Sequence, residues 1–80
     1  MQENDVRIQP EELKVNMVLM QQFSGKKATI LTIEPARAVL GHLTSKPLTV
    51  DYEIVVYQIE GEDKKRRWEK TTFCMNHKPL

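Results

Sequence analysis

Eighty residues, 40% hydrophobic and 29% charged, fit one small folded domain and argue against wholesale disorder or a large multilayer core. Twelve Lys and Arg against eleven Asp and Glu give a formal charge of +1. The isoelectric point of about 7.9 is below the level typical of a dedicated nucleic-acid binder, so any basic site is a local patch.

Residues 1 to 5 are polar and expected to fray, and Val6 to Gln9 add a short edge strand or lie along the surface. Next, Pro10 to Leu13 (PEEL) sets proline at a first helical position followed by two glutamates, which predicts a single helical turn. From Val15 the stretch VNMVLMQQF has no helical punctuation and ends at Ser24 and Gly25, residues that suit a tight turn. KATILTI, residues 27 to 33, is β-branched and predicts the second strand of a hairpin, ending at Glu34 and Pro35 because proline donates nothing to a ladder.

Residues 36 to 48, ARAVLGHLTSKPL, show no clean period and read as a long, partly ordered connection with a momentary helical turn over Ala36 to Leu40. TVDYEIVVYQIE, residues 49 to 60, is the strongest strand signal in the chain. Val50, Tyr52, Ile54 and Val56 share one face, and Asp51 and Glu53 begin the other, which turns apolar at Val55, Tyr57 and Ile59. A strand that starts one-sided and ends two-sided suits a bend across a barrel. GEDKK supplies a turn, RRWEKTTF (residues 66 to 73) returns as a strand, and the tail CMNHKPL leaves room for a short last one. The sum is a mostly β, single small SH3-like barrel of four to five strands over residues 1–80, with at most one short helical turn.

The quoted stretches LKVNMVL, GKKATILTIEP, the lysine loop TSK, VDYEIVVYQIEG and WEKTTF, covering about residues 13 to 73, resemble the N-terminal domain of the elongation factor P and initiation factor 5A family. That domain is an SH3-like barrel related to KOW modules, and the resemblance implies the same fold here. Asn16 stands where the family's first strand usually opens with glycine. Lys46 is followed by Pro47 where the family's modified lysine precedes glycine, so lysine modification and peptidyl-transferase stimulation are not carried over.

One cysteine, Cys74, excludes an intramolecular disulfide, and no Cys/His spacing suits zinc. With an acidic start and no run near the roughly 18 apolar residues of a span, a reducing, cytoplasmic setting without membrane is expected. Cys74 and His77 form the one nucleophile-and-base pair worth weighing, but in an extended tail they lie too far apart, and a half-buried cysteine beside a surface histidine is the better account. Asp51 and Glu53 read as a solvated strand face, and SGKK lacks the phosphate-loop frame. No enzyme and no cofactor is therefore expected.

Cations collect at Lys26 and Lys27, at Arg37 and Lys46, and at Lys64, Lys65, Arg66, Arg67 and Lys70. With Trp68, Tyr52 or Tyr57 as stacking surfaces they make a coherent nucleic-acid site. Against this, Glu60, Glu62 and Asp63 offset the basic run, and a lone tryptophan in a small barrel more often fills the core. Strand alternation groups Arg66, Trp68 and Lys70 on one face and Arg67 with Glu69 on the other. The expectation is a binding module for RNA, DNA or a ribonucleoprotein working through basic hairpin loops. The alternative is a protein partner or homodimer held by apolar strand faces such as Met17 to Met20.

Overall fold

The computed structural model describes residues 8–43 and 46–80, with residues 42 and 43 by backbone alone. The expected fraying of residues 1 to 5 lies outside the described residues. Of the expected edge strand Val6 to Gln9, the described part, Ile8 and Gln9, is not in a strand, and Ile8 is buried in the core.

Pro10 starts the helical turn where the sequence places it, as a 3-10 turn over Pro10–Glu12. Its Glu12 carboxylate accepts from the Gln9 N–H at 2.9 Å. Strand β1, Val18–Gln21, is shorter than the pattern suggests because Asn16 adopts φ 73° in the turn before it. β2 is Lys27–Leu43 and β3 is Lys46–Ile59. β4 is Lys65–Glu69, α1 is Lys70–Asn76 and β5 is His77–Pro79. The strands form one antiparallel sheet in the order β4-β3-β2-β1-β5. The mostly β class is thus present as an open sheet, with β4 and β5 at its edges.

Three expectations are corrected. The first concerns Pro35, which does not end β2. Hydrogen bonding alternates along the strand, and Pro35 opposes Glu53 at a position where its nitrogen faces away from β3. Among the described residues that side is open, because β1 reaches β2 only as far as Ile30, through Ile30 N–H to the Met17 carbonyl at 2.9 Å. A proline facing an open edge removes no ladder bond.

The second is the connection 36 to 48, which is not a partly ordered loop and has no helical turn at Ala36 to Leu40. β2 runs on to Leu43 and pairs with β3 from Lys46, leaving only 44 and 45 outside the described residues. Two bulges kept its period from showing. The register passes from Ile30↔Tyr57 to Thr32↔Val56 and from Val39↔Thr49 to Gly41↔Leu48, so Leu31 and Leu40 are extra residues that shift the alternation.

The third is RRWEKTTF, which is a strand only to Glu69. The Glu69 carboxylate accepts from the N–H groups of Thr71 and Thr72 at 2.9 and 3.1 Å and so caps α1. Glutamate is not among the favoured caps, and the β-branched pair Thr71-Thr72 favours strand, so the helix start was disguised.

α1 and the 3-10 turn cover one face of the sheet, where Leu13, Leu19, Ala28, Ile30, Val55, Tyr57, Ile59, Phe73 and Cys74 form the core. The first bulge is what lets both Ile30 and Ile33 face it. Beyond Ile30 and Ile54 the β2–β3 hairpin leaves its neighbours and projects as a two-stranded arm. The radius of gyration is accordingly 15.3 Å, against roughly 12 Å for a globular chain of this length.

Candidate nucleic-acid interface

The β1–β2 and β3–β4 turns lie side by side at one end of the sheet. Gly25 at φ 72° and Gly61 at φ 84° supply the left-handed backbone these turns need. Glu60 donates its N–H to the Lys27 carbonyl at 2.9 Å, and its carboxylate accepts the Lys27 N–H at 2.6 Å. Lys26 and Lys27 thereby come next to the segment Lys64 to Arg67. Arg37 and Lys46, the remaining basic cluster, sit on the arm at the opposite end, where Arg37 Nε donates to Asp51 at 2.7 Å.

Three of the expected site cations are engaged by carboxylates. Arg66 donates to Glu62 from Nε and Nη2, both at 2.9 Å, and this contact holds the Glu62 carboxyl below its usual range. Arg67 reaches Glu34 at 2.9 Å, and Lys70 reaches Glu53 at 2.7 Å. Among the described residues Lys26, Lys27, Lys64 and Lys65 form no ion pair. Six cations at this end (Lys26, Lys27, Lys64 to Arg67) meet four acids, Glu34, Glu60, Glu62 and Asp63, a local excess of two positive charges.

Strand register places Arg66 opposite Tyr57 and Trp68 opposite Val55 on the core side, and Arg67 opposite Val56 on the outer side, as alternation leads one to expect. Lys70 keeps to the core side but starts the helix, and its Glu53 contact turns it away from the turns. Trp68 is half-buried and packs against the core, in line with the bland reading of a lone tryptophan.

A shallow cleft of about 390 Å³ opens there, lined by Gln21, Phe23, Tyr57, Arg66, Arg67 and Trp68. Phe23 is 71% exposed, the most exposed of the large hydrophobic side chains among the described residues. In the sequence Phe23 falls at the end of the stretch VNMVLMQQF. The signal was present, since an aromatic directly before Ser24-Gly25 is carried into the turn and away from the core. Burial pushes the Tyr57 hydroxyl pKa up, with the Arg66 guanidinium opposing it, so Tyr57 is a neutral wall beneath a cation.

Tyr52 and Asp51, on the arm, have no place in this cleft. The Cys74 and His77 expectation needs a correction, because His77 is not at the surface. Both residues are buried, Cys74 on α1 and His77 at its C-terminal end. Burial raises the thiol pKa and lowers the imidazole pKa, and both shifts oppose a thiolate–imidazolium pair. Among the described residues no group of His, Cys, Asp and Glu is placed to hold a metal ion. Among the described residues no helix is long and apolar enough to cross a membrane.

No family model, curated protein or solved structure matches this chain at a significant level.

Proposed function

We propose that the protein is a non-enzymatic module that binds single-stranded nucleic acid, RNA first, free or within a ribonucleoprotein. The observation that carries this reading is the cleft in which Phe23 and Trp68 stand beside Arg66 and Arg67, at the end of the sheet with an excess of cations. Lys26, Lys27, Lys64 and Lys65 flank it and neutralise phosphates. Phe23 offers an open ring face to a base, and Trp68 an edge. A ring on a turn accepts any base by stacking, so sequence preference is weak.

The SH3-like, KOW-like likeness belongs to the same proposal. Three consecutive antiparallel hairpin steps, β1 to β4, with β5 returning to β1, suit a small meandering barrel opened along one seam. Asn16 holds φ 73°, a conformation asparagine and glycine both adopt, where the resembled family has glycine.

The test is titration of labelled single-stranded RNA and DNA at about 50 and 200 mM salt. Four phosphate contacts, one for each lysine, predict an affinity loss of about fiftyfold for a single strand between the two. No binding of either strand at the lower salt would sink the reading.

A second reading, assembly, is favoured by the arm. Val39 and Leu40 on β2 and Leu48 and Val50 on β3 are exposed, and among the described residues no strand pairs with either arm edge. An open strand edge is completed by another strand, and a second copy of this chain supplies the same edge. Sedimentation decides it, since a monomer at every concentration tested removes the assembly reading.

A further inference from the structure

His77 begins β5 and ends α1, and its ring has no exposed surface. Nδ1 lies 2.9 Å from the Phe73 carbonyl oxygen. A carbonyl only accepts, so Nδ1 carries the proton and Nε2 is left as a lone pair. That Nε2 is buried without a hydrogen-bond partner among the described residues.

The surroundings of the ring connect it to the cleft. Phe73 stacks on it with centroids 3.9 Å apart, while Tyr57 and Trp68 meet it edge-on at 5.4 and 6.4 Å. Gln21, buried on β1, is its partner in the ladder. Three of the six cleft residues, Gln21, Tyr57 and Trp68, are therefore set from behind by His77.

Among the described residues no group in contact with the ring carries a compensating negative charge. β1 presents neutral Gln21, β3 presents Tyr57 and β4 presents Trp68. α1 presents Phe73 and the neutral Cys74 thiol, whose pKa burial raises.

We propose that His77 is the positioning residue of the cleft and makes ligand binding fall on acidification, because it accepts a proton only when α1 and β5 lift from the sheet. This rests on the nucleic-acid reading of the cleft. α1 has seven residues and β5 three, so the unit opens at lower cost than the whole fold. Opening removes the packing behind Trp68 and Tyr57 and the strand beside Gln21.

The sign follows from linkage. Desolvation lowers the His77 pKa in the folded state, so the packed form is fully favoured above the ordinary value near 6.5. Its advantage is lost as the pH falls from there toward the folded-state pKa.

The experiment compares wild type, His77→Gln and His42→Gln at fixed ionic strength from about pH 7.5 to 5.5, reading oligouridine affinity and the fluorescence of Trp68, the sole tryptophan. Glutamine is a neutral polar side chain of similar length that does not titrate. In wild type and His42→Gln the affinity drops by up to about tenfold per pH unit below the midpoint, with a red shift of Trp68 over the same range. In His77→Gln both stay flat.

A flat wild-type profile, or a fall shared by His77→Gln, overturns the proposal. Lack of RNA binding at the upper pH overturns the nucleic-acid reading alone, and the Trp68 signal, which needs no ligand, still decides the role of His77. If His77→Gln does not fold, amide exchange in wild type decides. Protection over residues 74 to 78 must fall with acid relative to β3, and a constant ratio overturns the proposal.

Discussion

Arg66, on β4, grips Glu62, within the β3–β4 turn, through two parallel hydrogen bonds of 2.9 Å. The pair holds a planar guanidinium at the rim of the cleft, above Tyr57. An exposed bidentate pair adds little to stability but fixes a geometry that suits a phosphate.

Glu62 and Arg66 should therefore act oppositely on binding. Arg66→Ala should weaken RNA binding by about tenfold and lower the slope of affinity against salt by about one contact. Glu62→Gln removes a competing acid and should strengthen binding at low salt by a few-fold. Equal effects of the two substitutions would remove Arg66 from the site.

Phe23 separates binding from folding. Because its ring is exposed, Phe23→Ala should leave the unfolding midpoint almost unchanged, within about 0.5 kcal/mol. The loss of a stacked base should cost about 1–3 kcal/mol of RNA affinity. Denaturant unfolding and the titration, run on the same preparation, check both halves.

Glu69 caps α1, and hydrogen bonds from Thr71 and Thr72 hold its pKa below the usual value. A carboxylate with a lowered folded-state pKa contributes stability that is complete above its unfolded value, near 4.5, and is lost as the pH drops below it. Glu69→Ala should cost about 1 kcal/mol at neutral pH, and the difference from wild type should narrow in acid. Urea unfolding at several pH values measures it.

Phe73 joins the helix to the sheet. It is fully buried, stacks on His77 and meets Tyr57 edge-on at 4.8 Å. Phe73→Ala should cost about 3–5 kcal/mol, enough to leave a small domain close to unfolded at room temperature. Far-ultraviolet circular dichroism during a thermal scan reads the outcome.

How far the sequence could be read depended on whether local signals agreed with their tertiary setting. The turns at Ser24-Gly25 and Gly61, the turn at Pro10 and β3 from Thr49 to Ile59 follow from turn chemistry and period and occur where expected, while β3 begins earlier, at Lys46. Pro35 misled because its effect depends on which edge of β2 is open, and that is set by where β1 ends, a non-local fact. Glu69 misled because a helix cap outside the favoured residue types is recognisable only by the N–H groups it meets. For the site, alternation separated Arg66 and Trp68 from Arg67. The carboxylate partners Glu34 and Glu53 are 33 and 17 positions away from their cations, and no local pattern announces them.

The bulges at Leu31 and Leu40 also govern which changes of length the gene can accept. Each is one residue beyond what β3 can match, so removing it restores a regular ladder without exchanging the two faces of β2. Removing a residue from Ile33 to Arg37 instead takes Ile33 out of the core or Arg37 away from Asp51, whereas loss of Thr32, Ala38 or Val39 is absorbed by the adjoining bulge. A scan of single-codon deletions should find folded protein at and beside these two positions and a trough from Ile33 to Arg37. β2 thus carries its own tolerance for insertion and deletion at two defined points.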